Sequence, residues 1–193
     1  MPLIVLDRDG VINEDSDDYI RSLADWRPLP GSLEAIADLS RAGYTVAIAT
    51  NQSGLGRGYL GLDELEAIHA RLCQQVEEEG GLVAGIFYCP HLPEDGCRCR
   101  KPATGLLAAM EAELGASPRG SFFIGDSLRD LQAALAYGCR PVLVRTGKGA
   151  ATLQALQSGQ ATLAGWEEIP VYADLATAAR AIVQQQPAAK DDR

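Results

Sequence analysis

Apolar residues in this chain fall into short uninterrupted runs, and the stretches between them are amphipathic. The runs Leu3 to Leu6, Tyr44 to Thr50, Gly85 to Tyr88, Ser121 to Ile124, Pro141 to Arg145 and Val171 to Ala173 read as strands. Pro30 to Arg41, Asp63 to Glu79, Thr104 to Leu114, Ser127 to Tyr137 and Leu175 to Gln185 read as helices, with Gly43, Gly80, Gly115 and Gly138 as stop signals. Strands that are apolar on both faces and alternate with helices predict an α/β fold of three layers. Its sheet is mostly parallel and covered by helices on either side. The pattern predicts one domain over 1–185, and the polar end, 186–193, is expected to be a flexible tail.

In sheets of this kind ligands bind beyond the carboxyl ends of the strands. The residues that follow each run are therefore the candidates for chemistry. The first run ends in Asp7-Arg8-Asp9-Gly10, where two carboxylates at a strand exit can share a cation or divide nucleophile and acid/base roles. The second ends in Thr50-Asn51-Gln52-Ser53-Gly54, a hydroxyl, two amides and a series of backbone N–H groups suited to an anion. Arg100-Lys101-Pro102 stands at a helix start, and Lys101 could neutralise a phosphoryl oxygen. The fourth run ends in Gly125-Asp126-Ser127, with Asp130 one helical turn on. Taken singly, each segment also fits a polar turn or a helix cap.

The chain has 193 residues, 17 Lys and Arg and 26 Asp and Glu, for a formal charge of −9. An acidic chain without a basic stripe points away from nucleic acid and anionic membranes as partners. No apolar run approaches the ~18 residues of a membrane span. Met-Pro followed by Leu3 to Leu6 lacks a basic n-region, which predicts no signal peptide. Five cysteines, an odd number, predict reduced thiols in a cytoplasmic protein.

Three of those cysteines crowd one segment, Cys89-Pro90-His91 through Cys97-Arg98-Cys99. Three thiolates and one imidazole suit tetrahedral zinc, so Cys89, His91, Cys97 and Cys99 are the expected ligands of a structural site. Lys101 lies two residues beyond Cys99, so zinc would fix the loop that presents Arg100 and Lys101. Cys73 and Cys139 read as core thiols, and His69 as a packed or solvated helix residue.

The order of these segments resembles the haloacid dehalogenase superfamily: Asp-x-Asp after strand one, Thr after strand two, Lys at a helix start, Gly-Asp after strand four. DRDGVIN, TNQSG, CPH with CRCRKP, and GDS resemble the group that holds the heptose-bisphosphate and histidinol-phosphate phosphatases. The resemblance implies a Rossmann-like fold without a large cap domain and a magnesium-dependent phosphatase. It casts Asp7 as the nucleophile, Asp9 as general acid and base, and Thr50 and Lys101 as the phosphoryl-binding pair. Magnesium would be held by Asp7, Asp126 and the backbone carbonyl of Asp9. Asp15, Ser16, Asp17, Asp18, Thr50, Asn51, Gln52, Ser53, Arg100 and Lys101 would contact substrate.

The implied reaction is hydrolysis of the C7 phosphate of a heptose 1,7-bisphosphate by a monomer, within the synthesis of a bacterial surface glycan. Arg57, Arg100 and Lys148 could meet its second phosphate; Glu14, Asp15, Asp17 and Asp18 could meet sugar hydroxyls, or instead the amine of histidinol phosphate. A non-catalytic sugar-phosphate-binding protein is the alternative of another class. Two features depart from the group. Five residues between His91 and Cys97 make a short metal loop, and Ser127 stands where Asp or Lys is often found.

Overall fold

A computed structural model describes residues 2–185 of the chain; the expected tail, 186–193, lies outside them. Six strands form one sheet in the order β3-β2-β1-β4-β5-β6, with β1 at Leu3–Leu6, β2 at Thr45–Asn51 and β3 at Val83–Cys89. β4 spans Phe122–Gly125, β5 Arg140–Val144 and β6 Val171–Tyr172. Every neighbouring pair is parallel. Parallel strands need crossovers, and helices supply them: α1 (Ser32–Arg41), α2 (Ser53–Gly56), α3 (Leu62–Glu78), α4 (Gly105–Leu114), α5 (Leu128–Tyr137) and α6 (Gly149–Gln157), while α7 (Leu175–Gln184) follows the last strand.

The three layers follow from the two-residue period of a strand. All four residues of β1 are buried. Ile4 and Leu6 pack with Ile36 and Leu39 of α1, Leu65, Ile68 and Leu72 of α3, and Ile182 of α7. Leu3 and Val5 enter the opposite core with Leu107 and Met110 of α4 and Ala133 and Ala134 of α5. A smaller cluster seats Leu156 of α6 on Leu131 and Leu143. Cys139 is a buried core thiol, its Sγ donating to the Pro118 carbonyl at 3.2 Å, and Cys73 packs half-buried against the larger core.

The expected strands and helices are present, with ends moved by a residue or two, but the helix α6 escaped the sequence reading. Its sequence, GAATLQALQ, buries only Gly149 and Leu156, so its apolar stripe is too thin to show. The short α2 likewise has too few residues for a periodic signal. Among the described residues no large cap interrupts the sheet: the stretch 7–31 between β1 and α1 is mostly irregular, and it bends back over the strand ends. Because β1 is the central strand and sealed on both faces, Leu6→Ala is expected to cost about 2–5 kcal/mol in a urea unfolding series.

Candidate active site

The chain leaves β1 toward β2 and β3, then returns to place β4, β5 and β6 on β1's other side. The strand order thus reverses between β1 and β4, and a crevice opens there at the carboxyl ends. Asp7 follows β1 and Asp126 follows β4. The loops after β1 and β5 close on Asp126 through glycines with positive φ, Gly10 at 82° and Gly147 at 55°. A Cβ at either position would strike the Asp126 carboxylate, so bare backbone is required. The Lys148 N–H donates to Asp126 Oδ2 at 2.7 Å, and the Thr146 hydroxyl donates to the Gly10 carbonyl at 2.6 Å.

Lys101 sits in the floor of the crevice, 3% exposed. Its ammonium donates to the Ala49 carbonyl at 2.8 Å and lies at ion-pair distance from Asp7 Oδ1, 2.9 Å, and Asp130 Oδ1, 2.6 Å. Burial works against its charge, but Asp130 and Asp7 outweigh that and raise its pKa. Asp130 is also buried, yet Lys101 and the Ser127 hydroxyl and N–H hold its pKa below the usual carboxylate value. Ser127 thus caps α5 and turns its hydroxyl to Asp130.

Asp7 and Asp126 are left with excess negative charge. Burial and then the Asp130 charge raise Asp7 well above its ordinary value, despite Lys101. Burial and then Asp130 push Asp126 up to about 7. Carboxylate oxygens of Asp7, Asp126 and Asp130 all lie within 4.8 Å of one another. Three buried carboxylates facing one ammonium suit a hard divalent cation with few protein ligands, such as magnesium. Asp130 is spoken for by Lys101 and Ser127, so Asp7 and Asp126 are the pair that fits one.

Asp9 is held differently. Its carboxylate accepts from Arg8 Nε at 3.0 Å and Nη2 at 2.8 Å, from Asn13 Nδ2 at 2.9 Å and from Gln52 Nε2 at 2.8 Å. Burial would raise its pKa, but Arg8 and these donors lower it. Arg8 is fully buried, and its Nη1 lies 3.2 Å from His69 Nε2 on α3. Burial and the Arg8 charge drive the His69 pKa down to about 4, so the imidazole is neutral and Nε2 accepts.

The cleft of about 300 Å³ is lined by Asp7, Asp9, Asp15, Ser16, Asp17, Thr50, Asn51, Gln52, Ser53, Arg100, Lys101, Asp126 and Asp130. Several of these side chains are already engaged. Asn51 clamps the Lys101 backbone in both directions, at 3.0 and 3.1 Å, and Gln52 also donates to the Thr50 hydroxyl at 2.9 Å. Asp15 pairs with Lys148 at 3.1 Å. Asp18 and Arg57 do not line this cleft; Asp18 borders an adjoining groove that shares Asp15, Ser16, Tyr19 and Ile20 with the cleft. Tyr19 and Arg129 do line it, and both escaped the sequence reading. Arg129 precedes Asp130 in the first turn of α5, and its charge, after burial, lowers the Arg100 pKa. Tyr19 has φ of 66°, an uncommon value for a bulky residue, with its ring 5.2 Å from that of Tyr59. No local sequence pattern announces either placement.

The four thiol and imidazole groups converge as expected. Cys89 Sγ lies 3.1 Å from Cys99 Sγ and 3.6 Å from Cys97 Sγ, and His91 Nδ1 lies 3.2 Å from Cys99 Sγ. All five cysteines are free thiols. Bonds of ~2.3 Å to zinc would place tetrahedral ligands under 4 Å apart, so the cluster has the right size. The loop continues straight into the cleft: the Arg100 N–H donates to Cys97 Sγ at 3.4 Å, and Arg100 Nη1 donates to the His91 carbonyl at 3.3 Å.

This fold and this crevice define a hydrolase of the haloacid dehalogenase type, and the HAD-hydrolase-like family model matches residues 98–169. A D-glycero-beta-D-manno-heptose-1,7-bisphosphate 7-phosphatase from Pseudomonas aeruginosa is 55% identical over 183 residues, 94% of this chain and 98% of its own. Its counterpart in Pseudomonas putida is 58% identical over 80% of this chain and 88% of its own. The crystal structure of D,D-heptose 1,7-bisphosphate phosphatase from B. bronchiseptica, complexed with magnesium and phosphate, superposes with a TM-score of 0.89. It is 47% identical, over 96% of this chain and all of that one. The chain belongs to the D-glycero-beta-D-manno-heptose-1,7-bisphosphate 7-phosphatase family.

The charge excess generates a test. An Asp126 pKa of about 7, against ~3.9 in the unfolded chain, means that stability is fully present below pH ~4 and is lost as the pH rises to about 7. In EDTA at pH 8, Asp126→Asn is expected to raise the thermal midpoint, by roughly 1–3 kcal/mol of stability. An unchanged or lower midpoint would mean that the carboxylate is not strained.

Proposed function

We propose that this chain hydrolyses the C7 phosphate of D-glycero-D-manno-heptose 1,7-bisphosphate, through a phosphorylated Asp7. The observation that carries the reading is the strand-end crevice in which Asp7, Lys101 and Asp126 converge beneath a cationic rim of Arg100, Arg129 and Lys148. The floor suits a transferring phosphoryl group and the rim a second phosphate. The relatives' shared name supports the substrate and points to the β anomer.

In the first step an Asp7 carboxylate oxygen attacks phosphorus. The bond to the C7 oxygen breaks, and that oxygen takes a proton from Asp9. The free Asp9 is ionised, so its proton is taken up as the substrate's negative charge approaches and raises its basicity. In the second step Asp9 removes a proton from water. The water oxygen bonds to phosphorus, and the bond to Asp7 breaks. Lys101 and Thr50 hold the phosphoryl oxygens in line throughout. Magnesium, held by Asp7, Asp126 and the Asp9 backbone carbonyl, supplies charge neutralisation between an anionic nucleophile and an anionic substrate. Zinc on Cys89, His91, Cys97 and Cys99 fixes the loop carrying Arg100 and Lys101.

Asp15, Ser16, Asp17, Asn51, Gln52 and Ser53 shape the sugar side, with Asn51 and Gln52 acting largely through Lys101, Thr50 and Asp9. Pairing of Asp15 with Lys148 counts against a site for the amine of histidinol phosphate. The cleft is complete within one chain, which supports a monomer built as a single domain. No helix of the described residues is long and apolar enough to cross a membrane, and five free thiols accord with a cytoplasmic enzyme.

Phosphate release with magnesium tests the reading, comparing kcat/KM for both heptose bisphosphate anomers and histidinol phosphate. A preference for the β anomer over histidinol phosphate of about a hundredfold, roughly 2.7 kcal/mol, is expected, with Asp7→Asn inactive but folded. Near wild-type turnover in Asp7→Asn would remove the nucleophile, and a histidinol phosphate preference would remove the substrate. Extraction of zinc by a chelator is expected to lower kcat/KM for the bisphosphate, measured after magnesium is restored. Intact activity at zero zinc content would detach the thiol loop from catalysis.

A further inference from the structure

Arg8 and His69 carry none of the steps written above, yet they are joined to the acid/base carboxylate. The Arg8 guanidinium turns Nε and Nη2 to Asp9, with contacts of 2.8 to 3.0 Å. Its remaining arm, Nη1, meets His69 Nε2 at 3.2 Å. The Arg8 side chain is wholly buried, so water cannot replace either partner. A buried cationic N–H without an acceptor is costly, and a guanidinium released at Nη1 could pivot toward another one. The fork is planar and rigid, so such a pivot would carry the Asp9 carboxylate with it. His69 is itself braced: it projects from α3, and its ring centroid lies 5.7 Å from that of Tyr88 on β3.

We propose that His69 is a positioning residue for the acid/base step: its Nε2 anchors Arg8 Nη1, and the anchored guanidinium sets the orientation of Asp9. The neutral imidazole is the form that can accept from Arg8. Helix α3 thereby reaches the chemistry from outside the cleft, for His69 does not line it. The inference rests on the acid/base role of Asp9.

The test compares His69→Leu, which removes the acceptor, with His69→Gln, which places an amide oxygen within similar reach. Misorienting a general acid/base forfeits part of its 10²–10⁴-fold contribution, so His69→Leu is expected to lose about tenfold or more in kcat on the heptose bisphosphate. KM should stay within about threefold, because substrate contacts are untouched. His69→Gln should recover most of the loss. With an aryl phosphate, whose leaving oxygen needs no proton, His69→Leu should give a burst of aryl oxide followed by slow phosphate release. Attack of water on phospho-Asp7 still needs Asp9.

An unchanged kcat in His69→Leu overturns the proposal. So does an equal loss in His69→Gln, or a loss confined to KM. Should His69→Leu lack a cooperative melt, His69→Phe, which keeps a ring beside Tyr88 without an acceptor, takes its place. Asp9→Asn in the same assays separates the two claims. If Asp9→Asn is unimpaired, the acid/base reading itself fails; if it is impaired while His69→Leu is not, only the role of His69 fails.

Discussion

The buried ammonium of Lys101 is the interaction on which the rest of the crevice depends. It ties Asp7, just beyond β1, to Asp130 on α5 and to the Ala49 carbonyl of β2, so three elements meet at one charge. A buried ion pair contributes little net stability, but removal of one partner strands the others. The value of Lys101 lies in placement. It balances one carboxylate's charge, and the excess on Asp7 and Asp126 suits the site to a divalent cation. The same excess weakens the metal-free fold, a cost that binding of a cation to the native state would offset.

Lys101 is itself placed from outside. Asn51 clamps its backbone, and the thiol loop leads into it through Arg100. The segment from Cys89 to Lys101 thus runs from the carboxyl end of β3 to that of β2, where Asn51 receives it.

The two carboxylates of the Asp-x-Asp segment are driven in opposite directions by their surroundings. Asp7, although it accepts from the Arg8 N–H at 2.7 Å and faces Lys101, has its pKa raised by burial and by like charges, while Asp9 receives hydrogen bonds from Arg8, Asn13 and Gln52. Separation of this kind divides two chemically identical groups between roles. It arises because the chain bends at Arg8, just beyond β1, so that positions i and i+2, which a continuing strand would hold on one face, part: Asp7 turns to Lys101, and Asp9 turns to the Arg8 guanidinium, backed by α3.

Local patterns were enough to place the six strands, the long helices and the motif at each strand end, because strand and helix periods and turn residues are encoded over a few neighbours. The cluster of Cys89, His91, Cys97 and Cys99 was legible for the same reason, its four side chains lying within eleven consecutive positions. α6 was not, since nine residues with one buried leucine leave no stripe to read. Nor could the sequence tell that Asp18 and Arg57 would miss the cleft while Tyr19 and Arg129 entered it, for those outcomes depend on how the irregular 7–31 stretch and the first turn of α5 meet the sheet. The pairing of Arg8 with His69 spans 61 positions and required α3 to dock beside β1. The residue types and their order along the chain therefore settled the class of chemistry. The strand order and helix docking decided which charges meet, because contacts between distant segments are fixed by the packing of whole elements and leave no trace in local spacing.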